Sequence, residues 1–531
     1  MKKLVILTCF YVLFGCSHKP MEAPSDYQEF QRPVLAIESE SPLYQEALRF
    51  DQYITGKMSQ LNATIFLQEC KKKKIDSPFC YSVLHSKELL SLREKKTVPK
   101  EAPAPKLVTP VSPEYKNGKI VNWNTMRKSE IPGLLKGLMP LSATELQKIG
   151  ELSLKEKKCP NRVPIAVAAS LEDYLPKDTQ PEFLARLYEK GGTCKKETRA
   201  DRENFLTRSA LFYVYSQNWK KAVELLSKVT PNDAFSGRTL FWLAISRKNS
   251  GDTAGYEKTL KRLLTLHPFS FHAVIASQRE SIPLLPDLGN FSVQPTLSKK
   301  STAFNSIIQQ VEILARNHFT QTAGLLVDWG LLKFKKVEPK SKLYLASLGD
   351  AKARTVYASN LAYFKDDFRK KEILELAYPK PMEPIFTKVN RILPVTFIYS
   401  IARKESVFYP LAVSIADARG LLQLTPDTVE KMGFKNANLF DPYTNLDIGA
   451  LHLEALSKAL EGKLYYTAAA YNAGILPVQT WMKRYQHPDV LITLDLIPYR
   501  ETREYVGGVL TNYYWYNRLY GNAEDAFKDF P

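Results

Sequence analysis

Along most of the chain, apolar residues recur at intervals of three and four, the spacing that lines one face of an α-helix. "LYQEALRFDQYI" (43–54) and "YSVLHSKELLSL" (81–92) each predict a helix. After them, "TVPKEAPAPKLVTPVSPEY" (97–115) is rich in proline and reads as an extended spacer or a strap across the surface. From about Asn122 to Ser277, helix follows helix. "NWKKAVELLSKV" and "GYEKTLKRLLTL" each begin with an aromatic residue followed by apolar positions at helical spacing, and Trp219 and Tyr256 lie 37 residues apart. Another aromatic helix, "ALFYVYSQ" or "TLFWLAIS", precedes each one. That period predicts tetratricopeptide-like helix pairs stacked as a solenoid, with the aromatic stripes packing between helices. "LHPFSFHAVIAS" closes the region, and "SIPLLPDLGNFSVQP" marks a boundary. Helical spacing resumes in "GLLVDWGLL" and "NLAYFKDDF", until "AYPKPMEP" breaks it again.

One helical face beyond that break carries an anomaly. Ile398, Ile401, Ala402 and Glu405 fall on one side of a helix. Three of them belong in a core, and the fourth is a carboxylate, a group seldom buried without a partner. Pro410 pushes Tyr409 out of helical geometry, so the helix should stop near Glu405. On its own, Glu405 could simply pair with Arg403 or Lys404.

At 531 residues the chain exceeds one compact core, and its 44% hydrophobic and 24% charged composition suits a globular protein. The formal charge of +19 favours polyanionic partners, yet no basic and aromatic module marks a nucleic-acid site. Lysine runs such as Lys71–Lys74 and Lys155–Lys158 read as solvated helix faces. The first residues, "MKKLVILTCFYVLFGCSHKP", have the charged, apolar and small-residue regions of a signal peptide and are too short for a comfortable membrane span. Beyond Cys16, four cysteines remain: Cys70, Cys80, Cys159 and Cys194. An even set in an oxidising compartment invites pairing, and proximity favours Cys70–Cys80 and Cys159–Cys194 among three connectivities; unpaired buried thiols are the alternative. The scattered histidines give a metal site no support, and no nucleotide-binding glycine loop, HExxH or nucleophile elbow occurs, so no cofactor is expected.

Four stretches of the last 150 residues change the picture. They are Glu405-Ser406 with Ser414 and "ARGLLQLTP"; "LFDPYTNLDIGALHL"; "YTAAAYNAG"; and "IPYRETREYVGGVL". In this order they resemble the catalytic domain of Slt-type lytic transglycosylases, which have a goose-type lysozyme-like fold and cleave peptidoglycan. The resemblance is firm from about Pro384 to Tyr520 and architectural upstream. Leu13-Phe14-Gly15-Cys16 likewise resembles a bacterial lipobox, implying cleavage before Cys16 and its acylation. Ser17 favours the outer membrane of a periplasm over the inner one. An ordinary secreted protein is the alternative.

The resulting expectation is an all-α chain: a signal peptide (1–15), a tether with a helical segment and spacer (16–115), a superhelical domain (116–280), a helical linker (281–380) and a lysozyme-like domain (381–531). The resemblance implies that Glu405 acts as sole acid and base on the bond between N-acetylmuramic acid and N-acetylglucosamine, leaving a 1,6-anhydromuramic end. An apolar site that disfavours its charged form would serve that role. Ser414 and Gln423 would hydrogen-bond sugar, or cap a turn, and Gly420 permits close backbone approach. Tyr471 would offer its hydroxyl to Glu405 or to sugar, and Asn472 would fix the local loop. Glu501 would order the cleft or pair with Arg503, and Tyr505 would pack beneath it. Asn445 and Gly449 read as helix-start and close-packing positions. Asp417, where the family has glycine, is not cast as a second catalytic carboxylate. Thr425 and Leu422 in place of methionines, and "NAGIL" for "NAGPG", bear on subsite preference. The implied partners are glycan strands, a membrane through Cys16, and cell-wall proteins recruited by the solenoid. A hydrolytic muramidase and an inactive peptidoglycan-binding scaffold are the rival readings.

Overall fold

A computed structural model describes residues 42–55, 58, 60–71, 79, 82–83, 115–116, 119–120, 141–156, 163–174, 180–194, 197–229, 236–317, 319–389 and 392–521. Between their loops the described residues form helices, apart from a two-residue antiparallel ribbon, β1 (Tyr115–Lys116) with β2 (Lys119–Ile120), and isolated bridges of Arg419 to Val413 and Leu424. The chain begins with α1 (Pro42–Thr55) and α2 (Gln60–Lys71). The superhelix follows as α3 (Ala143–Lys155), α4 (Val163–Tyr174), α5 (Pro181–Gly192), α6 (Arg199–Tyr215), α7 (Trp219–Ser227), α8 (Ser236–Asn249), α9 (Thr253–Leu266) and α10 (Phe271–Arg279). Next come α11 (Thr302–Arg316), α12 (Thr320–Lys333), α13 (Pro339–Ser347), α14 (Ala351–Phe364) and α15 (Lys371–Ala377). The C-terminal region holds α16 (Glu383–Val389), α17 (Val395–Glu405), α18 (Pro426–Lys431), α19 (Pro442–Ala459), α20 (Leu464–Ala473), α21 (Ile475–Arg484), α22 (Val490–Leu496) and α23 (Arg500–Tyr520).

Sequence chemistry sets where the helices start. Thr198, Asn218, Asp252, Ser270, Ser301, Asp350 and Asp441 each accept a hydrogen bond from a first-turn N–H. Ser142 and Glu145 close a reciprocal capping box at α3. Each such cap stabilises its helix by roughly 1 kcal/mol. The two aromatic repeats occupy α6–α7 and α8–α9 and pack pairwise as the period predicts. Within them Trp242, Leu225 and Leu263 are fully buried.

One continuous apolar core runs from the superhelix into the C-terminal region. A second core was not legible from periodicity. Phe50 of α1 and Phe66 of α2 pack with Phe304, Val311 and Trp329 of α11 and α12. Thr322 Oγ1 donates to Asp51 Oδ1 at 2.6 Å, and Ser82 Oγ to Gln310 Oε1 at 2.5 Å. The N-terminal helices therefore fold back on a segment more than 200 residues away, a pairing that spacing within either segment cannot encode. The helix expected over 81–92 lies largely outside the described residues, as do Cys16, Cys80 and Cys159. Cys70 and Cys194 are each disulfide-bonded. Among the described residues no helix is long and apolar enough to cross a membrane.

Phe50 is 0% exposed, with its ring stacked 4.9 Å from Phe79. Phe50→Ala is expected to cost about 3–5 kcal/mol in denaturant unfolding. A loss below about 1 kcal/mol would mean that the N-terminal helices do not share a core with α11 and α12.

Candidate active site

Helix α17 ends where the sequence places its end, at Glu405, after a run from Phe397 to Ala402 that is wholly buried. Ser406 caps it: its N–H bonds to the Ala402 carbonyl, and its Oγ donates to Ala402 at 3.2 Å and Leu421 at 2.8 Å. Val407 (φ +52°) and Phe408 (φ +62°) then turn the chain through left-handed backbone, which is costly for side chains with a Cβ. Phe408 is buried against Phe386 and Tyr399, whose rings stack at 3.8 Å, and this anchors the turn.

Glu405 itself is half-buried, and its Oε1 accepts a hydrogen bond from the Tyr505 hydroxyl at 2.7 Å. Burial, reinforced by the Glu405 charge, holds the Tyr505 hydroxyl well above the usual tyrosine value, so it remains a donor. Tyr471, expected to offer its hydroxyl to Glu405 or to sugar, donates to the Leu422 carbonyl at 2.8 Å. Burial raises its hydroxyl too, with the Glu405 charge a second cause, so it stands within electrostatic reach of the acid. The bond to Glu405 that the sequence reading offered to Tyr471 is made by Tyr505, while Tyr471 holds the loop at Leu422. Tyr505 is more than packing beneath the cleft because residue 505 falls on the α23 face that meets α17. Arg403 turns away from Glu405, donating to Ala377 O, Asn512 Oδ1 and Ser359 Oγ. The Lys404 side chain lies over Gly508.

The loop 412–424 is joined to the end of α17 by the Ser406 Oγ bond to the Leu421 carbonyl. Gly420 has φ +74°, and a Cβ there would sit 2.1 Å from the Leu439 carbonyl and 2.3 Å from Asn445 Nδ2. Fully buried Asn445 knits this loop together. Its Oδ1 accepts from Leu422 N at 2.8 Å, and its Nδ2 donates to Arg419 and Leu439 carbonyls, both at 2.9 Å. Gly449, one turn further along α19, leaves room for Leu422. Ser414 Oγ accepts from the Ala416 and Ala418 N–H groups, and Gln423 Nε2 donates to the Ala412 and Gly420 carbonyls. Both side chains brace the turn, the alternative weighed from sequence. Asp417, at φ +59°, forms a two-bond ion pair with Arg419 at 2.9 Å each.

The remaining residues tie α20 and α22 to α23. Asn472 Oδ1 accepts from Thr502 Oγ1 at 2.8 Å. The alternative Glu501–Arg503 pair is not what forms: Arg503 donates to the Ile497 and Pro498 carbonyls, and Glu501 is exposed. Sequence reasoning missed His452. It shares the α19 face of Asn445 and Gly449, its ring lies 5.5 Å from Tyr471, and burial pulls it down to about 4. Its one available signal was its seven-residue spacing from Asn445. Among the described residues no cluster of His, Cys, Asp and Glu is placed to hold a metal ion.

Residues 385–491 match the family model of the transglycosylase SLT domain. The chain is 30% identical over 167 residues to the soluble lytic murein transglycosylase of Salmonella typhimurium, covering 29% of this chain and 26% of that one. Against the soluble lytic murein transglycosylase of Escherichia coli K12 it is 31% identical over 160 residues, covering 28% and 25%. It is 38% identical over 95 residues to membrane-bound lytic murein transglycosylase C of Actinobacillus pleuropneumoniae, covering 15% and 26%. The alignments span about a quarter of those relatives. The crystal structure of the 70 kDa soluble lytic transglycosylase from Escherichia coli matches 91% of this chain and 73% of its own, with TM-score 0.54 and 17% identity. The complex of a 70 kDa soluble lytic transglycosylase with bulgecin A matches with TM-score 0.56 and 16% identity, over the same shares. The likeness extends the shared fold through the superhelix.

Gly420→Ala is expected to cost more than about 2 kcal/mol and to remove activity, since the new Cβ meets a carbonyl at a left-handed site. Val407→Asn should raise stability by roughly 0.5–1 kcal/mol, as asparagine tolerates that backbone region. Thermal unfolding of both variants checks the pair, and a neutral Gly420→Ala would contradict the loop geometry.

Proposed function

With residues 385–491 forming a transglycosylase SLT domain, we propose that this chain is a peptidoglycan lytic transglycosylase. It cleaves the β-1,4 bond between N-acetylmuramic acid and N-acetylglucosamine, with Glu405 as sole acid and base. The observation that carries the reading is the Tyr505 O–H donating to Glu405 Oε1 at 2.7 Å, at the end of an apolar helix face. With that hydroxyl on Oε1, the reading assigns the acid's proton to the other carboxyl oxygen. The apolar helix face and the negative end of the α17 dipole both favour a neutral carboxyl there.

In the first half of the reaction, Glu405 gives its proton to the glycosidic oxygen as the bond to the muramyl C1 breaks. The muramyl acetamido group stabilises the positive anomeric centre. Glu405, now ionised and steadied by Tyr505, takes the proton of the C6 hydroxyl as that oxygen closes on C1. The products are a 1,6-anhydromuramic end and a free N-acetylglucosamine 4-hydroxyl. An intramolecular nucleophile needs no second carboxylate to activate water, and a held geometry can supply several kcal/mol of the barrier. Asp417, tied to Arg419, is consistent with that economy.

Gly420 and the braced turn of Ser414 and Gln423 present backbone to the sugar. Tyr471, Asn472 and Glu501 shape the facing wall, with His452 as a neutral ring beside Tyr471. Cys16 would carry the lipid that tethers the chain to the periplasmic face of the outer membrane, and the solenoid would offer surface to cell-wall proteins.

Glu405→Gln should lower the rate on purified peptidoglycan by at least about 10²-fold, and Tyr505→Phe by less. Mass analysis of the wild-type muropeptides should find anhydro ends. Products one water heavier would establish a muramidase instead, and an active Glu405→Gln would mean that another group is the acid. Cys16→Ala should move the protein from the membrane to the soluble fraction; membrane retention would overturn the anchor.

A further inference from the structure

A buried charge cluster joins the superhelix to the C-terminal region, and the reaction proposed above makes no use of it. Asp495 of α22 is 2% exposed. Its Oδ1 accepts from Arg238 Nε at 2.8 Å; its Oδ2 accepts from Trp242 Nε1 at 2.6 Å and lies 2.7 Å from His272 Nε2. All three partners belong to the superhelix, on α8 and α10. Arg208 of α6 adds bonds of 2.7 Å to the Asp495 and Leu496 carbonyls and pairs with Glu172 of α4. Burial alone would raise the Asp495 acid, but His272 and Arg238 outweigh it and hold the group well below the usual carboxylate range. Such a cluster tolerates burial because its charges are paired and hydrogen-bonded, and losing one member leaves another uncompensated.

Arg238 makes one more contact. Its second nitrogen donates to Glu504 Oε1 at 2.9 Å. Glu504 lies in the second turn of α23, directly before Tyr505. The neighbours on that turn are also fixed: Thr502 donates to Asn472, and Arg503 donates to the Ile497 and Pro498 carbonyls. Those bonds stay within the C-terminal region, whereas Arg238 reaches the turn from a helix 266 residues earlier in sequence. On a rigid helical turn, side chains at successive positions keep a fixed angle. Whatever sets the rotation of α23 at Glu504 therefore also sets where the Tyr505 hydroxyl meets Glu405.

We infer that Arg238 is a positioning residue for the reaction: acting from the superhelix through Glu504, it orients the α23 turn that carries Tyr505 and so aligns Glu405. The inference rests on the reading of Glu405 as acid and base. It gives the superhelix a part in the chemistry, since displacements of about 1 Å at a reacting group can cost ~10²-fold in rate.

A double-mutant cycle on the full chain tests it, using Arg238→Met, Glu504→Gln and Tyr505→Phe with purified peptidoglycan. Arg238→Met and Glu504→Gln should each lower kcat about tenfold with KM within about twofold. Each should lose most of that effect in the Tyr505→Phe background, and Arg238→Lys should restore part of the rate. Losses that simply multiply with that of Tyr505→Phe would overturn the inference, because a purely structural role acts independently of the hydroxyl. Glu504 has a 41% exposed side chain, so Glu504→Gln carries the test even if Arg238→Met fails to fold. A second readout needs no turnover: 3-fluorotyrosine at position 505, whose ¹⁹F signal should shift on Glu405→Gln. Arg238→Met or Glu504→Gln should move the same signal, and an unmoved signal would refute the positioning role. Wild-type protein that leaves peptidoglycan intact would count against the function itself, while the ¹⁹F signal still decides the inference.

Discussion

A carboxyl group at the end of a buried helix face, bonded by a tyrosine hydroxyl, is the constraint from which the rest of the C-terminal region follows. As the acid proposed above, Glu405 would need apolar neighbours that disfavour its charged form and an opening onto a polymer from outside. Ending α17 at that residue meets both demands: Ile398, Ile401 and Ala402 face the core, and the next residue begins a loop. Tyr505 supplies the polar contact that a half-buried carboxyl requires without bringing a full positive charge beside it.

Holding that arrangement costs backbone strain and polar burial, and the structure offsets each locally. Two consecutive left-handed residues after Ser406 cost about 1–2 kcal/mol each. Burying the Phe408 ring against Phe386 and Tyr399 contributes a comparable ~1.5–3 kcal/mol. Opposite, a single side-chain amide, that of Asn445, satisfies one N–H and one carbonyl of the loop 412–424 and ties both to the Leu439 carbonyl. Gly420 and Gly449 allow the loop to approach α19 as closely as those bonds demand. Asn445 thus locks the loop that follows α17 onto α19, while Tyr505 brings α23 to Glu405 from 100 residues further along the chain.

Much of this was legible in the sequence, for reasons that separate cleanly from what was not. The spacing of 398, 401, 402 and 405 and the proline at 410 fix the helix and its end, since both are local properties of the backbone. The 37-residue aromatic period likewise marks helix pairs that touch their sequence neighbours. Which tyrosine meets Glu405 depends on how α23 is rotated against α17, a property of packing between distant segments, and there Tyr505 makes the bond that the sequence reading offered to Tyr471. The same holds for α1 and α2 on α11 and α12, and for Arg238 reaching Glu504. Ser414 and Gln423 show a subtler limit. Each is a residue type that serves equally as turn brace or sugar ligand, and only the loop geometry shows their amides and hydroxyls already engaged with backbone.

The central claim is that one carboxyl both gives and takes the proton while the sugar's own C6 hydroxyl closes on C1. Digesting peptidoglycan in ¹⁸O-labelled water and weighing the first-formed muramyl ends tests it most directly. Unlabelled anhydro ends are expected, because no solvent oxygen enters the new bond. First-formed muramyl ends that are instead reducing and carry the label at C1 would mean that water is the nucleophile, and that the single-acid account of Glu405 is wrong.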